Sequence, residues 1–224
     1  MASGVRNAGN AMQEMALGGN RGAEVLSTKD RANLIRACCK VKLFGGGSGS
    51  GSLCMIQFGG RDVYCVLTNN HVLCDAKQAA SATAEFSNLD DEQACSVSLE
   101  PTRLFFTDEL LDYTFVAVRK VPQLGKRDVA PVTLGNEALK VEDYVYVVQY
   151  PDGGERRDSH ASVCDIETNG KYVYYQLDTD YGSSGGARYH PRQYVQPTHL
   201  HTGGGRGTRC PYHVDASLYL ATWS

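Results

Sequence analysis

Residues 182–187 read Gly-Ser-Ser-Gly-Gly-Ala, residues 67–73 read Leu-Thr-Asn-Asn-His-Val-Leu, and residues 111–118 read Leu-Asp-Tyr-Thr-Phe-Val-Ala-Val. The first stretch puts a hydroxyl, Ser184, on a glycine-rich bend. The second puts His71 directly after an apolar strand-like run. The third puts Asp112 at the head of another. A histidine, an aspartate and a serine, each set at the end of a strand-like segment, are the parts of a hydrolytic triad.

Chemistry explains why these types belong together. A serine hydroxyl is a weak nucleophile at neutral pH and needs a base whose pKa lies near 7, which imidazole supplies. The imidazole must face the hydroxyl with one nitrogen and keep its proton on the other. A carboxylate accepting that proton fixes the tautomer and stabilises the imidazolium that forms during attack. The oxyanion then needs preorganised backbone N–H donors, each worth about a hundredfold to a thousandfold in rate. Gly182 lets the chain turn two amides toward one point, so the candidate donors are the amides of Gly182 and Ser184.

With these residues in place the chain resembles a trypsin-like serine peptidase of the chymotrypsin fold. Gly182–Gly186 resembles the Gly-Asp-Ser-Gly-Gly and Gly-Asn-Ser-Gly-Gly signatures of that group. Leu67–Val72 resembles its Leu-Thr-Ala-Ala-His segment, and Asp112–Val118 its Asp-Ile-Ala-Leu-Leu strand. Gly49–Ile56 resembles the Gly-Thr-Gly-Phe-Leu strand that precedes the histidine. The four matches occur in the family's order and extend over residues 38–205. The resemblance implies two antiparallel six-stranded-type β-barrels with the active site in the cleft between them, and no cofactor. Ser184 would attack, His71 would act as base and then acid, and Asp112 would orient His71.

Composition agrees with an all-β reading. The 224 residues include 24 Gly and 13 Tyr, and the chain has many short β-branched or aromatic runs and little long helical periodicity. Strands are expected near residues 37–44, 51–58, 62–69, 95–106, 113–119, 144–150, 161–168, 172–178, 186–189, 198–202 and 216–222, separated by turn signals such as Gly59-Gly60 and Asp152-Gly153-Gly154. Asn169-Gly170 between two alternating runs marks a hairpin. The expected organisation is an extension over residues 1–36, a first barrel over 37–120 holding His71 and Asp112, and a second over 121–224 holding Ser184. The second barrel is expected to be minimal, with residues 214–223 reading as one strand-like run where many relatives of that family carry a long helix.

Residues 1–26 are small, polar and glycine-containing, and read as flexible. Ser27-Thr28-Lys29-Asp30 resembles a capping box, with Asp where Glu or Gln is usual, and predicts a helix over about 28–36. That helix is a strap packed on a barrel or, alternatively, a lid or docking arm. No charged start followed by an apolar core opens the chain, and no run is long enough for a membrane span. Eight cysteines are present, but Val72 stands where secreted trypsin relatives often carry a bridged cysteine. Cys38-Cys39 is an adjacent pair, and Cys54, Cys65, Cys95 and Cys164 fall in strand-like runs, as buried free thiols do. The expectation is a reduced, intracellular, cytoplasmic protein, with up to two disulfides left open. The family resemblance also bears on Ser183. Secreted relatives carry Asp there and pair it with a newly cleaved N-terminus. Ser183 cannot make that ion pair, so the oxyanion loop should be held by hydrogen bonds instead.

The specificity pocket is expected from Asp178 and Thr179 on one wall and His201, Thr202 and Gly203 on the other. Asp178 lies where trypsin carries its basic-specific aspartate. Thr179 and the His201–Gly204 run instead resemble glutamyl endopeptidases, which favour an acidic residue. The two readings stay open, as does plain loop anchoring. His199, His201, Cys210 and His213 are possible zinc ligands by type, but their spacing matches no zinc signature, so no metal is expected. The net charge of −3 gives no general attraction to nucleic acid. Gly46–Ser52 lacks the Gly-Lys-[Ser/Thr] ending of a phosphate-binding loop and reads as a turn into a strand. The sequence therefore points to a serine endopeptidase acting on protein or peptide substrates, with no nucleic-acid or membrane partner. Its alternative is an inactive fold serving as a scaffold.

Overall fold

The computed structural model describes residues 27–88, 94–134, 139–166, 173–175, 183–189 and 196–197. The chain enters through helix α1 (Thr28–Ala37). Ser27 caps it: its side chain accepts from Asp30 N at 3.1 Å and donates to the Asp30 carboxylate at 2.6 Å. One half of the capping box read from the sequence is thus formed, and the Asp30 carboxylate closes the turn on the Ser27 hydroxyl instead of on its backbone N–H. The helix ends where β1 (Cys38–Lys42) begins without a loop.

From there the chain winds β2 (Ser48–Phe58), β3 (Arg61–Thr68), a short helix α2 (Ala76–Ser81), β4 (Thr83–Ser87), β5 (Ala94–Ser98), β6 (Phe105–Asp108) and β7 (Tyr113–Ala117). These strands form one antiparallel sheet in the order β5-β4-β1-β2-β3-β7-β6. The sheet closes on itself. Leu99 bridges Val118, Glu100 N donates to Ala117 O at 2.7 Å, and Arg119 N donates to Ser98 O at 3.0 Å. The outer edge of β7 is thus shared by β6 and by the end of β5. Closure removes the unpaired edges that an open sheet would expose.

Side chains alternate across these strands. On β3, Val66 points into the barrel with Val41, Leu53, Phe86, Val97 and Val116. Val63, Cys65 and Leu67 point outward, into a second layer with Cys54, Leu104, Tyr113 and Phe115. Because β2 is covered on both faces, residues 49–54 are all buried. This is why that stretch reads as a glycine- and serine-rich run without polar alternation.

After a small hairpin, β8 (Gln123–Leu124) and β9 (Arg127–Asp128), the chain returns along β2. Val132 N donates to Leu53 O at 2.8 Å. The second unit contains β10 (Tyr144–Gln149), β11 (Arg157–Ile166), β12 (Val173–Tyr175), β13 (Ala187–Tyr189) and β14 (Gln196–Pro197). They form an antiparallel sheet in the order β12-β11-β10-β13-β14. The β11–β12 pairing agrees with the hairpin read at Asn169-Gly170, although the turn itself lies outside the described residues. Helix α1 lies across this second sheet. Leu34, Ile35 and Cys38 pack with Val148 and Ala187, and Arg31 pairs with Asp158 on β11. It is a strap, as one of its two readings held.

The expected strand at 95–106 is two strands, because Pro101 removes a ladder donor and a turn follows it. Helix α2 and β4 answer to no expected element. The extension over residues 1–26 and the strands expected at 198–202 and 216–222 fall outside the described residues. The seven described cysteines are free thiols, and no described helix is long and apolar enough to cross a membrane.

Candidate active site

Asp112 sits at the foot of the β6–β7 hairpin. Asp108, the last residue of β6, accepts Leu111 N on its carboxylate at 2.8 Å and so shapes the loop. Asp112 then takes a left-handed backbone, φ 50°. Asp tolerates that conformation better than most residues. The turn drives its carboxylate inward, leaving the side chain 9 % exposed.

His71 sits on a single helical turn after β3, closed by Val72 N and Leu73 N donating to Asn69 O. Three side chains clamp this turn to the hairpin. Asn69 Nδ2 donates to Asp112 O at 2.7 Å, Asn70 Nδ2 donates to Thr107 Oγ1 at 2.8 Å, and Thr114 Oγ1 donates to Leu73 O at 2.8 Å. The resemblance assigned nothing to these residues. The Asn-Asn pair, polar where the related segment carries Ala-Ala, was the available signal.

Held this way, His71 faces the Asp112 carboxylate twice. Its backbone N donates to Oδ1 at 3.0 Å, and Nδ1 lies 2.8 Å from Oδ2 and 3.1 Å from Oδ1. A carboxylate accepts only, so Nδ1 carries a proton, and in the neutral ring the lone pair is on Nε2. The imidazole is 41 % exposed while its partner is buried. The ring is thus accessible while the carboxylate that orients it is not.

Ser184 lies on a tight turn, closed by Gly186 N donating to Ser183 O at 3.0 Å. Gly185 occupies the third position with φ +83°, the value a type II turn demands and glycine alone adopts freely. A Cβ there would overlap Ser50 O and lie 2.5 Å from Thr68 Oγ1. The nucleophile turn therefore rests directly on β2 and the end of β3. Ser50 N donates to Ser184 O at 2.7 Å. A Cβ on Gly49 would lie 3.3 Å from Ser184 O and 2.6 Å from Val72 Cγ1, the neighbour of His71. The histidine turn and the serine turn thus both pack against β2 at Gly49. Ser183 is fully buried and Ser184 nearly so.

Of the residues singled out from sequence, Gly182, Asp178, Thr179, His201, Thr202 and Gly203 lie outside the described residues, as do His199, Cys210 and His213. Among the described residues no group of three or more His, Cys, Asp or Glu side chains is placed to hold a metal. The His71–Asp112 pair and the Ser184 turn thus meet along the start of β2, and an imidazole whose Nδ1 faces a buried carboxylate has the chemistry of a general base.

Comparison with solved structures shows the chymotrypsin-like fold. The serine endoprotease of Yersinia pestis superposes with a TM-score of 0.58 at 16 % identity, covering 89 % of this chain and 65 % of its own. The active form of the Rv3671c protease of M. tuberculosis gives 0.60 at 16 % identity, covering 86 % and 82 %. A Glu endopeptidase gives 0.60 at 15 % identity, covering 89 % and 94 %. The uncharacterized protein y4fB of Sinorhizobium fredii is 32 % identical over 142 residues, 54 % of this chain. This chain spans 21 % of that relative's length. The trypsin-like peptidase domain model matches residues 49–193, a stretch that begins at the β2 residues under Ser184 and takes in His71, Asp112 and Ser184. More than half of the chain falls within that match, so the chain belongs to the trypsin-like peptidase domain family.

Proposed function

We propose that this chain is a serine endopeptidase that cleaves protein or peptide substrates through a covalent acyl-enzyme. The observation that carries the reading is the His71–Asp112 pair, with Nδ1 2.8 Å from the buried carboxylate and the imidazole itself exposed. The family membership supports it independently.

In this reading Ser184 Oγ attacks the scissile carbonyl while His71 Nε2 takes its proton. Asp112 stabilises the imidazolium, which then protonates the leaving amine. Water, activated by the same imidazole, releases the acyl group. Backbone amides at Gly182 and Ser184 hold the oxyanion. None of these steps calls for a metal or cofactor. The division of labour follows the two β units, with residues 37–120 supplying the base and its carboxylate and residues 121–224 the nucleophile. Asp178 and Thr179 with His201, Thr202 and Gly203 line the pocket for the residue before the scissile bond. The reduced state of the described cysteines accords with an intracellular setting.

Incubating the protein with a mixed peptide library, and sequencing the products, tests the reading. Wild type should generate new termini sharing a preferred residue, and Ser184→Ala should generate none. A folded wild type that cleaves nothing would favour a binding module built on the same fold.

A further inference from the structure

Ser50 is a fully buried hydroxyl residue near the start of β2. It touches the second β unit through its backbone and its side chain at once. Its N–H donates to Ser184 O at 2.7 Å. Its Oγ accepts Tyr150 N at 2.9 Å, at the end of β10. Its carbonyl accepts Thr68 Oγ1 at 2.7 Å, at the root of the histidine turn, and lies directly under Gly185. Through these bonds one residue joins the nucleophile turn, the histidine strand and the second sheet.

These bonds act on one degree of freedom. Ser184 sits in the turn closed by Ser183 and Gly186, and that turn continues into β13, which pairs with β10. The second sheet alone would carry the nucleophile with whatever tilt it takes against the first barrel. His71 and Asp112 belong wholly to the first barrel. A small tilt between the units would therefore change the distance from Ser184 Oγ to His71 Nε2 while leaving both motifs intact. Ser50 Oγ holds β10 to β2 at Tyr150, and Ser50 N–H holds the turn to β2 at Ser184. The two attachments lie on one residue, so the second unit cannot tilt there without breaking one of them. Close by, Ser48 is packed under Gly153 of the turn that follows Tyr150.

We propose that Ser50 is a positioning residue for the nucleophile, and that its side-chain hydroxyl sets the alignment of Ser184 with His71 by locking the two β units together at the cleft. This inference rests on the proposed peptidase reading. Misplacing reacting groups by a fraction of an ångström to an ångström costs about ten- to a hundredfold in rate.

The test compares Ser50→Ala with Ser87→Ala on a peptide drawn from the library experiment. Ser87 also links the units, since its Oγ accepts Arg156 Nη1 at 2.7 Å and meets Tyr150 Oη at 3.3 Å, but its described hydrogen bonds go to Arg156 and the Tyr150 side chain rather than to the nucleophile turn or the Tyr150 backbone. Ser50→Ala is expected to lower kcat and the acylation rate about ten- to a hundredfold with KM within about threefold of wild type. Ser87→Ala, at a comparable loss of Tm, is expected to keep kcat. If Ser50→Ala does not fold, Ser50→Cys, which keeps the size and a weak acceptor, should show the same split at smaller amplitude. Wild-type kcat in a folded Ser50→Ala or Ser50→Cys overturns the inference while leaving the peptidase reading intact. An equal loss in both Ser50→Ala and Ser87→Ala also overturns it, because general loosening of the interface would then explain the effect. A folded wild type that never acylates removes the reading itself.

Discussion

Replacing Asp112 by Asn changes one atom, and the structure says which way the new amide must turn. Oδ1 accepts the backbone N–H of His71 at 3.0 Å, so that position requires an acceptor. The carboxamide oxygen takes it, and the NH2 falls at the Oδ2 position, 2.8 Å from His71 Nδ1. Two donors cannot face each other, so Nδ1 gives up its proton and the ring carries it on Nε2. The nitrogen that should draw the proton from Ser184 then has no lone pair to offer. In triads of this kind that tautomer change costs about 10⁴ in turnover, or about 5 kcal/mol of barrier. The loss is chemical. The amide keeps the bond to the His71 backbone, and the Asn69–Asp112 carbonyl bond does not involve the altered side chain. The melting temperature should therefore move by only a few degrees. Time courses of inactivation by a fluorophosphonate measure acylation without a chosen substrate. Asp112→Asn should react about 10⁴-fold more slowly than wild type at pH 7.5. A rate within tenfold of wild type, in a protein with an unchanged melting curve, would refute the role given to this carboxylate.

Three further outcomes follow from the same structure. Gly185→Ala forces a side chain into a left-handed backbone and against Ser50 O and Thr68 Oγ1; urea titration should show a loss of about 2–5 kcal/mol, with acylation lost as well. Cys38, Cys39 and Cys54 are fully buried, and burial pushes their thiols up, Cys38 to about 12, so they hold almost no thiolate at pH 8; iodoacetamide followed by peptide mapping should label exposed Cys74 and Cys164 first and these three only after unfolding. Tyr150 and Cys38 are both raised to about 12 from ordinary values of 10.0 and 9.0, first of all by desolvation. Both are neutral in the fold and ionise earlier in the unfolded chain, so their contribution to stability is complete below about pH 9 and disappears as pH rises through 12. Urea midpoints should fall across that window, and less steeply in Tyr150→Phe.

What could be read from the chain alone was whatever is written in short, contiguous segments. The turn at Ser184 needs glycine at 185 for its positive φ, and Gly-Ser-Ser-Gly-Gly states that need locally. The strand that delivers His71 is apolar because both of its faces are covered. The helix cap at Ser27 is legible for the same reason, since all its bonds close within a few residues. Helix α2 was missed although Asp75 accepts Gln78 N and Gln78 Oε1 accepts Cys74 N, a reciprocal cap visible as Asp-x-x-Gln. Its six residues are too few to show an amphipathic period. The run at 95–106 looked continuous in hydrophobicity, and Pro101 was the overlooked break.

The contacts that align the site had no local signature. Ser50 meets Tyr150 and Ser184 from the far end of the sequence, and a serine in a glycine-rich strand looks like a turn residue until the partner strand is in place. The left-handed backbone of Asp112 is likewise set by a hairpin whose first strand, β6, had been merged into its predecessor. Asn69 and Asn70 looked like polar substitutes for alanine and are instead the clamps that hold the histidine turn to that hairpin.

The central claim is that Ser184 is a nucleophile activated by His71. Intact-mass analysis of the native protein after exposure to a fluorophosphonate, followed by peptide mapping, addresses it directly. The account predicts a single adduct per chain, located on Ser184 and absent from His71→Ala over the same interval. A folded protein that remains unmodified, or one that carries its adduct on another residue, would contradict it.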